Sequence, residues 1–157
     1  MKIIVDEIAP VREALREALK NLESDNSVTV GIHEDAGEHT RGITNAQLGA
    51  VLDLGDERGH IPPRPWLRPG VESAYPDLIP EIGSGLEDGI PVDVILERVG
   101  AIAAAKTQEY LTALNDPPNA PSTIRAKKGK SNPLIDTGEL RQSIGYAVGP
   151  GAAEERA

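Results

Sequence analysis

Between Ile61 and Gly70 the chain reads Ile-Pro-Pro-Arg-Pro-Trp-Leu-Arg-Pro-Gly, with proline at four of ten positions. Each proline fixes φ and removes a backbone donor, so this stretch cannot run as one continuous helix or as a central strand. The expectation is a stiff, extended connector, polyproline-like over much of its length. Regular structure must therefore be found on either side of it.

Before the connector, Ile8, Val11, Ala14, Leu15, Ala18, Leu19 and Leu22 recur at helical spacing, which predicts an amphipathic helix over 8–23 with Pro10 in its first turn. Glu13 with Arg16, and Glu17 with Lys20, are opposite charges three residues apart on that helix. Val28, Val30 and Ile32 alternate with polar or small residues and predict a half-buried strand. Residues 34–44 read as a polar loop, and Asn45 as the cap of a short helix that turns Ala46, Leu48, Gly49, Val51 and Leu52 inward and ends at Gly55.

After the connector, residues 71–89 predict one or two short helices interrupted by Pro76 and Pro80. Pro91 opens the longest helix, about 91–115, with a stripe of Val92, Ile95, Val99, Ile102, Ala103, Tyr110 and Leu114. Residues 116–133 read as a long Pro-, Lys- and Asn-rich loop carrying Arg125, Lys127, Lys128 and Lys130, and loops of that length are functional or mobile. A single helical turn is expected over 137–142 and a last strand over 143–148. Val28, Val30 and Ile32 should share a sheet with Ile144, Tyr146 and Val148, because each strand alone is too short to be stable. The class is α+β: a small antiparallel sheet on two principal helices, in one domain over 1–148 with a flexible tail over 149–157.

The 157 residues contain no cysteine, which excludes disulfides, thiol catalysis, thiolate zinc sites and iron–sulfur clusters. One Trp, three Tyr and no Phe leave almost nothing to stack on nucleobases, and a net charge of −9 argues against a general nucleic-acid binder. No apolar run approaches a membrane span, and Lys2 and Asp6 interrupt any apolar leader, so a protein soluble in a reducing cytosol is expected.

The sequence shows no constellation of an enzyme. Leu134-Ile135-Asp136-Thr137-Gly138 matches the triplet of aspartic proteases, whose mechanism needs two carboxylates sharing a proton across a dimer. The charged, helix-forming Glu139-Leu140-Arg141-Gln142 that follows is foreign to a protease strand, so the simpler reading has Asp136 or Thr137 capping a turn. His33, Glu34, Asp35, Glu38 and His39 match no tight metal-ligand spacing and read as a solvated strand end. No phosphate loop or dinucleotide fingerprint is present, and no cofactor is expected.

Two segments carry a resemblance. Ile61-Pro62-Pro63-Arg64-Pro65-Trp66-Leu67-Arg68-Pro69 resembles an Ile-Pro-x-Arg-Pro-aromatic-Leu-Arg-Pro motif. Pro133-Leu134-Ile135-Asp136-Thr137-Gly138-Glu139-Leu140, continued to Ser143-Ile144, resembles a Pro-Leu-Ile-Asp-Thr-Gly-x-Leu-x-x-Ser-Ile motif. In this order, separated by a long helix and a Lys-rich loop, they resemble the tail-completion (virion morphogenesis) proteins of tailed bacteriophages, of the minor tail protein Z type, over about residues 28–148. The family usually has phenylalanine where this chain has Trp66, and its acidic–glycine pair before the connector is split here as Asp53-Leu54-Gly55.

The resemblance implies a structural, non-enzymatic virion protein. Such proteins form a ring, a hexamer by analogy, around the DNA channel where head meets tail, after assembly in the host cytoplasm. Head–tail adaptor or tail terminator is the alternative role within the virion, and a dimeric aspartic protease the remote one. Expected partners are copies of the chain, neighbouring connector and terminator proteins, and DNA touched non-specifically in the channel. Arg64, Pro65, Trp66, Leu67 and Arg68 would form the subunit or partner contact, since a pre-stiffened segment docks at low entropic cost, with ordinary intramolecular core the equal alternative for Trp66. Arg125, Lys127, Lys128 and Lys130 read first as a solvated, flexible loop, and otherwise as a contact with an acidic partner surface or DNA that stays mobile until then. Pro133, Leu134, Ile135, Asp136, Thr137, Gly138 and Leu140 would form a structural turn.

Overall fold

The computed structural model describes residues 9–33, 37–39 and 42–150. Its two longest strands lie at opposite ends of the chain: β1 (Asn26–Ile32) and β4 (Ile144–Pro150). They pair antiparallel, with Val28 opposite Val148, Val30 opposite Tyr146 and Ile32 opposite Ile144, as the alternation requires. β4 runs further than expected. Gly149 and Pro150 pair with Ser27 and Asn26, so the tail cannot start at 149. Residues 151–157 lie outside the described residues.

α1 (Ala9–Leu22) covers the expected amphipathic segment, and Arg16 bonds Glu13 at 2.8 Å. Ile8 lies outside the described residues. Three leucines of the stripe are exposed among the described residues: Leu15, Leu19 and Leu22 are 59%, 52% and 52% exposed. The loop expected over 34–44 is also revised. β2 (Glu38–His39) and β3 (Ile43–Thr44) form a two-residue ladder. The cap of α2 (Asn45–Leu54) is Thr44 rather than Asn45, in a reciprocal capping box with Gln47, while Asn45 is the first helical residue and buried. Gly55 ends the helix as expected, but Val51 faces outward.

The Pro-rich segment is irregular over 62–66 and then turns helical within the four-proline window. In α3 (Leu67–Glu72), Pro69 occupies the first turn, where backbone donors have no intrahelical acceptor. For the same reason Pro76 is tolerated in the first turn of α4 (Tyr75–Glu87). The interruption expected at Pro80 does not occur; α4 continues through it.

α5 (Val92–Ala113) follows Pro91 and is the spine of the domain, packing against both β1 and β4 as well as α3 and α4. Its buried face carries Ile95, Val99, Gly100, Ala103, Ala104, Thr107 and Leu111. Thr107 and Leu111 replace Val92, Ile102, Tyr110 and Leu114, which are only partly buried. Thr107 enters the core because its hydroxyl donates to the Ala103 carbonyl oxygen at 2.8 Å. Gly100 sets how close the sheet comes: a Cβ there would overlap the Tyr146 ring and stand 2.9 Å from Val28 Cγ2.

The supposed loop over 116–133 contains α6 (Pro121–Ala126), with proline at its first position. α7 (Glu139–Gln142) is the expected single turn before β4. The core gathers Trp66, Leu111, Leu134, Leu140 and Ile144. The architecture is α+β, a small antiparallel sheet packed against helices.

Candidate functional site

Asp53, near the end of α2, accepts hydrogen bonds at Oδ1 from the backbone N–H groups of Trp66 (2.7 Å) and Leu67 (3.0 Å). One carboxylate thus satisfies the first orphan donors of α3 and fixes where the Pro-rich segment bends into helix. The bend sends Trp66 inward. Its side chain is only 2% exposed, and its indole N–H donates to the Gly49 carbonyl oxygen at 3.0 Å.

Arg64 is also turned inward, at 5% exposure. Its backbone N–H donates to Leu52 O at 2.9 Å, its Nε to Pro117 O at 2.8 Å and its Nη2 to Pro118 O at 3.2 Å. Burial lowers its pKa from the ordinary value. The contact to a neighbouring subunit expected of Arg64 and Trp66 is therefore corrected. Both side chains are used inside their own domain, one as a clamp and the other as core. Leu67 is partly buried against that core, and only Pro65 and Arg68 of the five are exposed.

Two of the four cations of the Lys-rich segment are bound to their own chain. Lys127 is partly buried, and its Nζ donates to Asn132 O at 2.9 Å and Pro133 O at 3.3 Å. Desolvation lowers the Lys127 pKa, and the charges of Arg64 and Lys130 act in the same direction against an opposing pull from Asp136. Lys130 Nζ donates to the Asp136 carbonyl oxygen at 2.7 Å. Arg125 and Lys128 point to solvent. Asn119 and Asn132 complete the arrangement. Asn119 donates to the carbonyls of Ser131 and Asn132, and Asn132 accepts from the N–H groups of Leu134 and Ile135.

In the Asp-Thr-Gly turn, Thr137 Oγ1 accepts from Glu139 N–H at 3.3 Å, two residues on, while the N-cap of α7 is Gly138 in the left-handed region, and Asp136 is exposed. Leu134 and Leu140 enter the core, Pro133 is buried and Ile135 is partly buried against the core, as a structural turn requires.

These segments meet around one cleft of about 730 Å³. Ile61, Pro62 and Arg64 come from the first motif; Pro133, Leu134, Asp136, Thr137, Gly138 and Leu140 come from the second. Lys127 and Thr123 border it from the segment between, and Leu48 and Leu52 from α2. The two motifs, some seventy residues apart, are thus two walls of one feature. Among the described residues no group of His, Asp and Glu is placed to hold a metal ion. His33 contacts Thr29 Oγ1 at 3.1 Å, and Glu34 and Asp35 lie outside the described residues. No helix among the described residues is long and apolar enough to cross a membrane.

Sequence reasoning assigns no role to Asp53, Asn119 or Asn132. Asn132 before a proline and two apolar residues is a recognisable Asx-turn signal. Asp53 stands out only in the split Asp53-Leu54-Gly55 pair, and its role is hidden because the donors it serves lie 13 and 14 residues away. No protein-family model matches this chain, and neither a curated protein nor a solved structure matches it.

Proposed function

We propose that this chain is a structural protein of a tailed-phage virion, a tail-completion or neck component that forms a closed ring of its own copies around the DNA channel at the head–tail junction. The observation that carries the reading is the ordered pair of motifs, Ile61 to Pro69 and Pro133 to Ile144. Their meeting at a common cleft supports treating the pair as one unit. A structural role is further supported by the apolar side chains left uncovered on α1 (Leu15, Leu19, Leu22) and α4 (Ile79, Ile82, Leu86), since large exposed apolar faces mark assembly surfaces. With Arg64 and Trp66 occupied internally, such helix faces, together with Pro65 and Arg68, replace the Pro-rich segment as the place where neighbours would meet.

The test is immunogold labelling of tailed virions with antibody raised against the purified chain, paired with native mass spectrometry of the protein. Label confined to the neck and a ring-sized assembly are expected. Label spread along the tail tube, or absent from virions, overturns the reading. So does proteolytic activity lost in Asp136→Asn.

A further inference from the structure

We propose that the cleft between the Pro-rich segment and the Asp136 turn recognises a peptide segment in which a carboxylate side chain stands next to an aliphatic one. This goes beyond the virion reading and does not depend on it.

The size is right. About 730 Å³ lies in the range that encloses a ligand of a few residues. The apolar lining comes from Leu48, Leu52, Ile61, Leu134 and Leu140, with His60 at the border and no Phe, Tyr or Trp, so it suits an aliphatic side chain.

The charge is only partly compensated. Arg64 and Lys127 both line the cleft, and among the described residues neither has a carboxylate within ion-pair distance. Their hydrogen-bond partners are the main-chain carbonyls of Pro117 and Pro118, and of Asn132 and Pro133. Two bonds each leave three of the five guanidinium donors and one of the three ammonium donors for a ligand. Lys130 adds a third cation close by, against the single carboxylate of Asp136, in a chain whose net charge is −9. Cations held in place by carbonyls, partly desolvated and outnumbering the one carboxylate near them, form strong charge-assisted bonds to an incoming carboxylate with little reorganisation. The hydroxyls of Thr123 and Thr137 and the amide of Asn119 line the same cleft and suit a peptide backbone.

The experiment uses the full chain and an array of blocked pentapeptides with a central Asp or Glu flanked by Leu, Ile or Val, followed by calorimetry on the strongest binder. Its Asn or Gln counterpart should bind about tenfold more weakly, the loss of one charge-assisted bond. Lys127→Met should cost a similar factor and Lys127→Arg much less. Thr123→Asp, which leaves the carbonyl clamps intact, should weaken binding by placing a carboxylate at the cleft. Circular dichroism establishes that each variant is folded. Four results each overturn the proposal: no acidic peptide binds; acid and amide peptides bind equally; Lys127→Met and Thr123→Asp both leave binding unchanged; or sodium acetate or a single-stranded oligonucleotide binds as tightly as the peptide.

Discussion

The indole N–H of Trp66 donates to the carbonyl oxygen of Gly49 at 3.0 Å, and a Cβ on Gly49 would stand only 3.2 Å from Trp66 Cζ2. The two residues are matched: glycine on α2 lets both the indole and Ile32 Cδ1, which a Cβ would approach to 2.8 Å, close on the helix, and the backbone of the same residue receives the indole's only polar atom. Trp66→Phe should fold but lose roughly 1–3 kcal/mol, from the missing hydrogen bond and the smaller ring. Trp66→Ala should lose about 3–5 kcal/mol. Urea denaturation followed by circular dichroism measures both, and an alanine variant within 1 kcal/mol of wild type would show that the indole is not core.

Gly100 is matched to the sheet in the same sense. Gly100→Ala must push Tyr146 and Val28 away from α5, and overpacking of that kind costs about 1–3 kcal/mol. Gly145, one residue before Tyr146 in β4, has open space where a Cβ would stand. Gly145→Ala should therefore be neutral or slightly stabilising. Equal losses at the two positions would mean that strand propensity, not helix–sheet distance, governs both.

What the sequence reveals and what it hides follow one physical division. The β1–β4 register is readable because alternation fixes which residues face the same side, and two marginal strands must find each other. The helix of α1 is readable from its period, yet the period says nothing about what covers Leu15, Leu19 and Leu22. The proline run around Trp66 shows stiffness but not direction. A stiff segment serves a neighbour or its own core equally well, and Asp53 and Gly49 decide for the core. Thr107 was missed because a hydroxyl reads as polar until its bond to Ala103 O is seen. The cleft was invisible as a unit, since its two walls are joined only by tertiary packing.

Asp93 ties the start of β1 to the first turn of α5. Its Oδ1 accepts from Ser24 Oγ at 2.5 Å and Asn26 Nδ2 at 3.0 Å. The Ser24 bond, then the Asn26 bond, favour the ionised form and hold the carboxyl below its ordinary 3.8, against a smaller desolvation effect. A depressed folded-state pKa contributes stability above the unfolded value, and that contribution is lost as pH falls through the folded value. Asp93→Ala should thus be less stable than wild type at neutral pH, with the gap closing as pH drops through and below 3.8. In Ser24→Ala the carboxyl resonance of Asp93 should titrate at higher pH than in wild type. An unmoved midpoint would remove Ser24 as the main cause.

Arg64 joins the Pro-rich segment to the far side of the cleft by two side-chain bonds to consecutive carbonyls, Pro117 and Pro118. Methionine at this position keeps most of the aliphatic stem and relieves the cost of burying a cation, so the loss of charge is not itself destabilising. The loss that remains is the two unpaired carbonyls. Pro118 is exposed and its carbonyl can turn to water, so Arg64→Met should cost only about 1–2 kcal/mol globally. The local effect should be larger, because residues 117–133 lose one of their few ties to the rest of the domain. Trypsin should cut after Arg125 and Lys128, which already face solvent, several-fold faster in Arg64→Met than in wild type, by the local-opening route rather than global unfolding. Arg64→Lys should fall between them, since a single ammonium lacks the fork that spans two carbonyls. Unchanged cleavage in Arg64→Met would place the anchor of this segment elsewhere, as on the bond from Asn132 Nδ2 to Thr112 O at 2.8 Å.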